Sequence, residues 1–231
     1  RISTKSKAIK LFEEWKHLWI LSYFIIYMVW FGIIEKNITT HYHVVHVPLD
    51  DYIPFCEYFV IPYILWFGYV AWAVIYSALH NKADYYKLCL VLFTGMTVFL
   101  IASTVYPNGH LLRPHSFEHR NFCTYLVALL YSKDTPTNLF PSIHVFNSLA
   151  VHFFVLNSED FKNKKIVKAG SWVLCISIIL ATMFLKQHSV FDVVTGILLA
   201  MLMYRIVYKK SVLIPVKNTG KHYPKRHIFQ G

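Results

Sequence analysis

Charge is what this chain lacks. Asp, Glu, Lys and Arg together make up 15% of its 231 residues, against about 25% in an ordinary soluble domain. With 56% of the residues hydrophobic, that scarcity argues against a water-exposed globule and excludes a charged, disordered chain. Acid is scarcest, 12 Asp and Glu against 23 Lys and Arg. Cysteine is sparse too. Of the four, Cys89 and Cys175 fall inside apolar runs, so a disulfide scaffold is excluded, while a Cys56–Cys123 bond is permitted but not required. No internal repeat or low-complexity stretch appears. The first apolar run is followed by Glu35-Lys36-Asn37 rather than a small-residue cleavage site, which reads as a retained span and not a signal peptide.

What is present is a series of long apolar runs. Leu18–Ile34, Tyr58–Leu79, Leu88–Tyr106, Asn138–Ser158 and Ala169–Leu185 contain no Asp, Glu, Lys or Arg, and each is near the ~20 residues that cross ~30 Å of hydrocarbon. A sixth runs from His188 to about Tyr208, interrupted by Asp192 and Arg205. The expected fold is all-α: a polytopic membrane protein, a six-transmembrane-helix bundle forming one domain over 1–231, with basic tails at 1–17 and 209–231. The tryptophans fall mostly near span ends, as interface anchors do. Of the 23 Lys and Arg, 18 lie in the two tails, at Arg205 and in the loops around Lys82 and Lys164; Lys36, Arg113, Arg120, Lys133 and Lys186 lie on the other side. By the positive-inside rule both termini are cytoplasmic. This loop-by-loop alternation separates a membrane protein from a nucleic-acid binder. The polybasic tail suits anionic headgroups.

With that orientation, three distant segments place polar residues at the external end of the bundle: Arg113-Pro114, Pro141-Ser142-Ile143-His144, and Lys186 with His188 and Asp192. His188 and Asp192 are four residues apart, one helical turn, so imidazole and carboxylate share a face. The carboxylate can keep one ring nitrogen protonated and leave the other free to attack. Such groups are costly in hydrocarbon and mark function. Cations where positive charge is otherwise avoided suit an anion. Arg113 offers bidentate donors, and Pro141 suits a helix start. The N–H groups of Ser142, Ile143 and His144 would then open toward the anion, with the Ser142 hydroxyl as a further donor.

These residues resemble the three signature motifs of the type 2 phosphatidic acid phosphatase superfamily, carried here by Arg113-Pro114, Phe140-Pro141-Ser142-Ile143-His144 and His188-(three)-Asp192. The resemblance implies that His188 is the nucleophile that becomes phosphohistidine, Asp192 its orienting carboxylate and His144 the general acid. It implies Arg113 and Ser142 as phosphate ligands, and no metal or other cofactor. Three positions depart from the pattern: Tyr106 stands where a lysine is usual, Ile143 where glycine is, and Ala181-Thr182 where Ser-Arg is. Lys186 is expected to replace one missing cation. The departures are similar to a branch containing inositol phosphorylceramide synthases, which pass a phosphoryl headgroup to a lipid hydroxyl.

The expected activity is therefore a metal-independent lipid phosphatase acting at the outer leaflet of a plasma membrane on phosphatidic acid, phosphatidylglycerophosphate or a prenyl pyrophosphate. A lipid phosphotransferase is the alternative, and a non-catalytic transporter or scaffold the third reading. His41, His43 and His46 are irregularly spaced and lack a clear fourth ligand, so they read as loop residues and not as a metal site. The Glu35–Glu57 loop is long enough to cover the pocket. Ser148 and His152, one and two turns below His144, read as packing or hydrogen-bonding groups. Asp134, Lys133 and Asn138 read as turn or entrance residues, and Asn37-Ile38-Thr39 as an external glycosylation sequon.

Overall fold

The computed structural model describes residues 15–37 and 41–209. Most of both basic tails, and Ile38-Thr39 of the sequon, lie outside the described residues. Besides a one-turn 3₁₀ segment at Glu159–Phe161, eight helices follow in order among the described residues: α1 (Lys16–Asn37, opening as a 3₁₀ segment), α2 (Leu49–Tyr52), α3 (Glu57–His80), α4 (Lys82–Val105), α5 (Phe122–Lys133), α6 (Ile143–Asn157), α7 (Lys165–Phe184) and α8 (Val190–Lys209). The exception to the all-α expectation is a two-residue parallel ladder, β1 (His43–Val44) on β2 (Asn108–Gly109).

Among the described residues five helices are long and apolar enough to cross a membrane: α1, α3, α4, α7 and α8. The fourth of the six expected spans, Asn138–Ser158, is not among them. The run Asn138–Ser158 forms a helix only from Ile143, because Asn138 sits at φ 58° and Ser142 is an extended N-cap. The resulting α6 has 15 residues, about 22 Å at 1.5 Å per residue. It is shielded from lipid by its neighbours: ten of its residues are buried, so it is a core helix with no need to match the hydrocarbon thickness.

The core forms around α6. Phe146, Ala150, Val151 and Phe154 pack with Leu88, Val91 and Leu92 of α4, Tyr69 and Ala73 of α3, Ile178 of α7, and Ala200 and Met203 of α8. Gly95 makes the α4 contact close, since a Cβ there would overlap the Phe146 ring. Outward faces stay apolar: Ile25, Val29 and Ile33 on α1, Leu65 and Phe67 on α3, Val173 on α7, and Leu198 and Leu202 on α8 are exposed. Such faces are stable in lipid and would aggregate in water. One polar link crosses the interior, where Ser171 Oγ meets Tyr69 Oη at 2.6 Å and His152 Nδ1 at 3.0 Å.

At one end of the bundle the connections knit together. Asn108 is fully buried; its Oδ1 accepts from the N–H groups of Leu139 (2.9 Å) and Phe140 (3.0 Å), and its carbonyl accepts from that of Asn138 at 2.7 Å. Glu35, at the end of α1, accepts from the Thr135 hydroxyl and N–H and from Asn138 Nδ2. The segment before α6 is thereby fixed from two sides.

Candidate active site

His188 stands in a turn closed at both ends. α7 stops at Phe184, and the N–H groups of Gln187 (2.9 Å) and His188 (3.0 Å) both donate to the Thr182 carbonyl. Lys186 takes the left-handed conformation at φ 51°, a helix-ending position usually given to glycine. Ser189 then caps α8 in a capping box with Asp192, whose Oδ2 accepts the Ser189 N–H at 3.0 Å. That oxygen lies 3.6 Å from His188 Nδ1, longer than a hydrogen bond but within ion-pair range. His188 is 6% exposed and Asp192 fully buried, and His188 Nδ1 and Asp192 Oδ1 have no hydrogen-bond partner among the described residues. The carboxylate thus faces Nδ1, and Nε2 is the other ring nitrogen.

His144 occupies the first turn of α6. Its ring centroid is 5.7 Å from that of His188, 4.6 Å from Tyr63 and 4.3 Å from Trp66. Ser148 Oγ donates to its carbonyl at 2.6 Å. Ser142 is fully buried, and its Oγ accepts weakly from the Val145 N–H at 3.4 Å. Its own N–H donates to the Asp192 carbonyl at 3.2 Å, so it is not one of the open donors expected at this helix start; those of Ile143 and His144 remain. The Ile143 side chain packs beside Ile34, Phe99 and Leu100. Gly196 on α8 makes the approach of the two motifs sterically feasible, because a Cβ there would lie 2.9 Å from the Ser142 carbonyl oxygen.

Arg113 reaches the same turn from the loop after α4. Nη1 donates to the Asp134 carbonyl and Nη2 to Gln187 Oε1, both at 2.7 Å, and the guanidinium lies 4.4 Å over the Tyr131 ring. Burial pushes the Arg113 pKa down, opposed by Asp134. Burial pushes the Asp134 carboxyl up, opposed chiefly by Arg113. α5, read from sequence as part of a loop, supplies the ring and, just past its end, the carbonyl that hold this arginine.

Lys186, expected as a phosphate ligand, spends one of its three ammonium donors on the loop before α3. Its Nζ donates to the Asp50 carbonyl at 2.8 Å; burial lowers its pKa, against Asp50 and Asp51. Asp50, 2% exposed, was not singled out as a functional residue in the sequence. Its Oδ1 accepts the Val190 N–H at 2.8 Å, and its Oδ2 accepts from Ser189 Oγ at 2.6 Å and from the Val47 N–H at 2.9 Å. The Glu35–Glu57 loop is thus tied to the His188 turn through Asp50. His43 stacks on Tyr106 and His46 pairs with Asp51. Cys56 and Cys123 are free thiols.

Two further residues, His110 and Gln187, carry no assigned site role in the sequence reading. His110 is 1% exposed; its Nε2 donates to the Gln187 carbonyl at 2.9 Å and its Nδ1 accepts the Leu112 N–H at 3.2 Å. Both bonds need a neutral ring, and burial pushes its pKa down to about 4. Gln187 joins His110 and Arg113 to the residue before His188. Neither has a periodic signal, since each acts on a loop far along the chain.

Two imidazoles, a carboxylate facing one of them, an arginine and the open N–H groups of a helix start form a set able to bind an anion and exchange a covalent bond at nitrogen. A sequence model of the PAP2 superfamily matches residues 111–213, which contain all three motifs. No curated protein and no solved structure matches the chain.

Proposed function

From a chain whose residues 111–213 belong to the PAP2 superfamily, we propose a membrane lipid phosphatase that works through a phosphohistidine at His188. The superfamily supports phosphatase or related lipid phosphotransferase activity in general. The observation that carries the finer reading is the 5.7 Å separation of the His188 and His144 rings, with Arg113 linked to the same turn through Gln187.

In this reading His188 Nε2 attacks phosphorus while Nδ1–H faces Asp192. The bond from phosphorus to the leaving oxygen breaks, and His144 gives that oxygen its proton. Arg113 and the N–H groups of Ile143 and His144 hold the equatorial oxygens. Water, deprotonated by His144, then attacks the phosphohistidine and releases phosphate, restoring both rings. Phosphatidic acid, phosphatidylglycerophosphate and prenyl pyrophosphates are the candidate substrates, their chains staying in the bilayer. We place the site at the external face of a plasma membrane with both termini cytoplasmic, the arrangement the positive-inside pattern favours when the shorter, lipid-shielded α6 counts as a sixth crossing.

A lipid phosphotransferase reading is favoured by one feature. Tyr106, at the usual lysine position, stacks on His43 with ring centroids 4.3 Å apart, and Ala181 and Thr182 are buried without charge. The decisive test presents lipid phosphates to purified protein, with chelator and with His188→Ala and His144→Ala controls. Free phosphate that persists in chelator and vanishes with His188→Ala supports the hydrolase. A new phospholipid supports the transferase. Turnover unaffected by His188→Ala overturns both.

A further inference from the structure

We infer that Gln187 is a phosphate ligand, an uncharged donor in a site short of cations. The inference rests on the phosphoryl-transfer reading above and extends its ligand set.

Gln187 is 1% exposed. Its carboxamide has two ends, and the structure assigns one of them: Nη2 of Arg113 donates to Oε1 at 2.7 Å. A guanidinium can only donate, so oxygen must be the atom on that side and the NH₂ group the one left over. That Nε2 is buried and has no partner among the described residues. A buried, unpaired donor is costly and uncommon, and its neighbours here are those of an anion site. The residue immediately follows Lys186, precedes His188 and shares Arg113.

The backbone is equally constrained. The Gln187 N–H donates to the Thr182 carbonyl at 2.9 Å, and its carbonyl accepts from His110 Nε2 at 2.9 Å. With main chain and Oε1 all engaged, Nε2 is the remaining free hydrogen-bonding group of the residue. Lys186, the expected extra cation, is engaged by the Asp50 carbonyl. Gln187 supplies a fixed dipole beside Arg113 where neither Tyr106 nor Thr182 supplies charge. In a buried site such a preset donor stabilises developing negative charge without reorganising.

Gln187→Glu separates a ligand from a mere support for Arg113. The carboxylate still accepts from Arg113, and more strongly, but replaces the donor with a repelling oxygen. A phosphate ligand predicts kcat/KM for a lipid phosphate down by about 100-fold, and inhibition by orthovanadate weakened by a similar factor, with thermal stability retained. Values within about threefold of wild type for both mean Gln187 only orients the arginine, and the inference falls. A second measurement needs no variant. The chain has two glutamines, Gln187 and Gln230, so protein labelled with ¹⁵N in glutamine side chains gives two NH₂ signals in detergent micelles. The Gln187 pair should move on adding orthovanadate; an unmoved pair overturns the inference. Wild-type protein that neither turns over lipid phosphates nor binds orthovanadate removes the phosphoryl-transfer reading itself, an outcome distinct from a normal wild type with an indifferent Gln187→Glu.

Discussion

At His188 the two ring nitrogens are set apart by their surroundings, one facing a buried carboxylate and the other not. Replacing Asp192 by Asn keeps an acceptor for the Ser189 N–H, so helix capping should lose about 1 kcal/mol or less. It removes the charge that favours Nδ1–H, and kcat should fall at least about 100-fold. Paired melting and steady-state measurements on the same preparation check this, and equal losses in both would point to simple unfolding. His110 gives a pH prediction. The folded state keeps this ring neutral down to pH about 4, whereas the unfolded chain protonates it near 6.5. The unfolded state therefore binds the extra proton between those values. Its stabilising contribution is intact above pH 6.5, erodes as pH falls through the window and is gone below 4, about 3 kcal/mol in all at 1.36 kcal/mol per unit. His110→Gln should flatten the melting temperature against pH over that range.

Among the elements, α6 depends on two glycines of its neighbours. Gly95→Ala forces a methyl into the Phe146 ring, an overpacking cost of about 1–3 kcal/mol, read as a lower melting temperature. Gly196→Val presses on the Ser142 carbonyl and Val145, and so on the spacing of the two histidine motifs. Its kcat should fall by more than its stability accounts for, where Gly95→Ala should mainly destabilise. His188, Asp192, His144 and Arg113 were legible in the sequence because polar groups interrupt apolar runs or stand in a sparsely charged loop. The extent of α6 was not, because Leu139 and Phe140 count as apolar although Asn108 holds their N–H groups in an extended segment. α5 was missed because twelve residues are too few to register as a span. Asp50, Glu35, Asn108 and His110 were invisible as site residues, since they act on main-chain groups dozens of residues away and no local spacing encodes that.

For the whole molecule, the proposed orientation makes a labelling prediction. Cys56 and Cys123 are partly exposed near the candidate site, while Cys89 and Cys175 are buried. A membrane-impermeant maleimide should therefore label intact cells at Cys56 and Cys123 alone, and their replacement by serine should abolish the signal. Labelling that appears only after permeabilisation would invert the topology. The tie between Asp50 and the start of α8 reaches further than either segment. All three motifs lie within residues 111–213, yet the acceptors for Val190, Ser189 and Lys186 come from Asp50. A chimera that grafts the motif-bearing half onto a foreign leader sequence would inherit the imidazoles with three orphaned donors around them. Only a transplant carrying its own acidic latch should fold into a working centre.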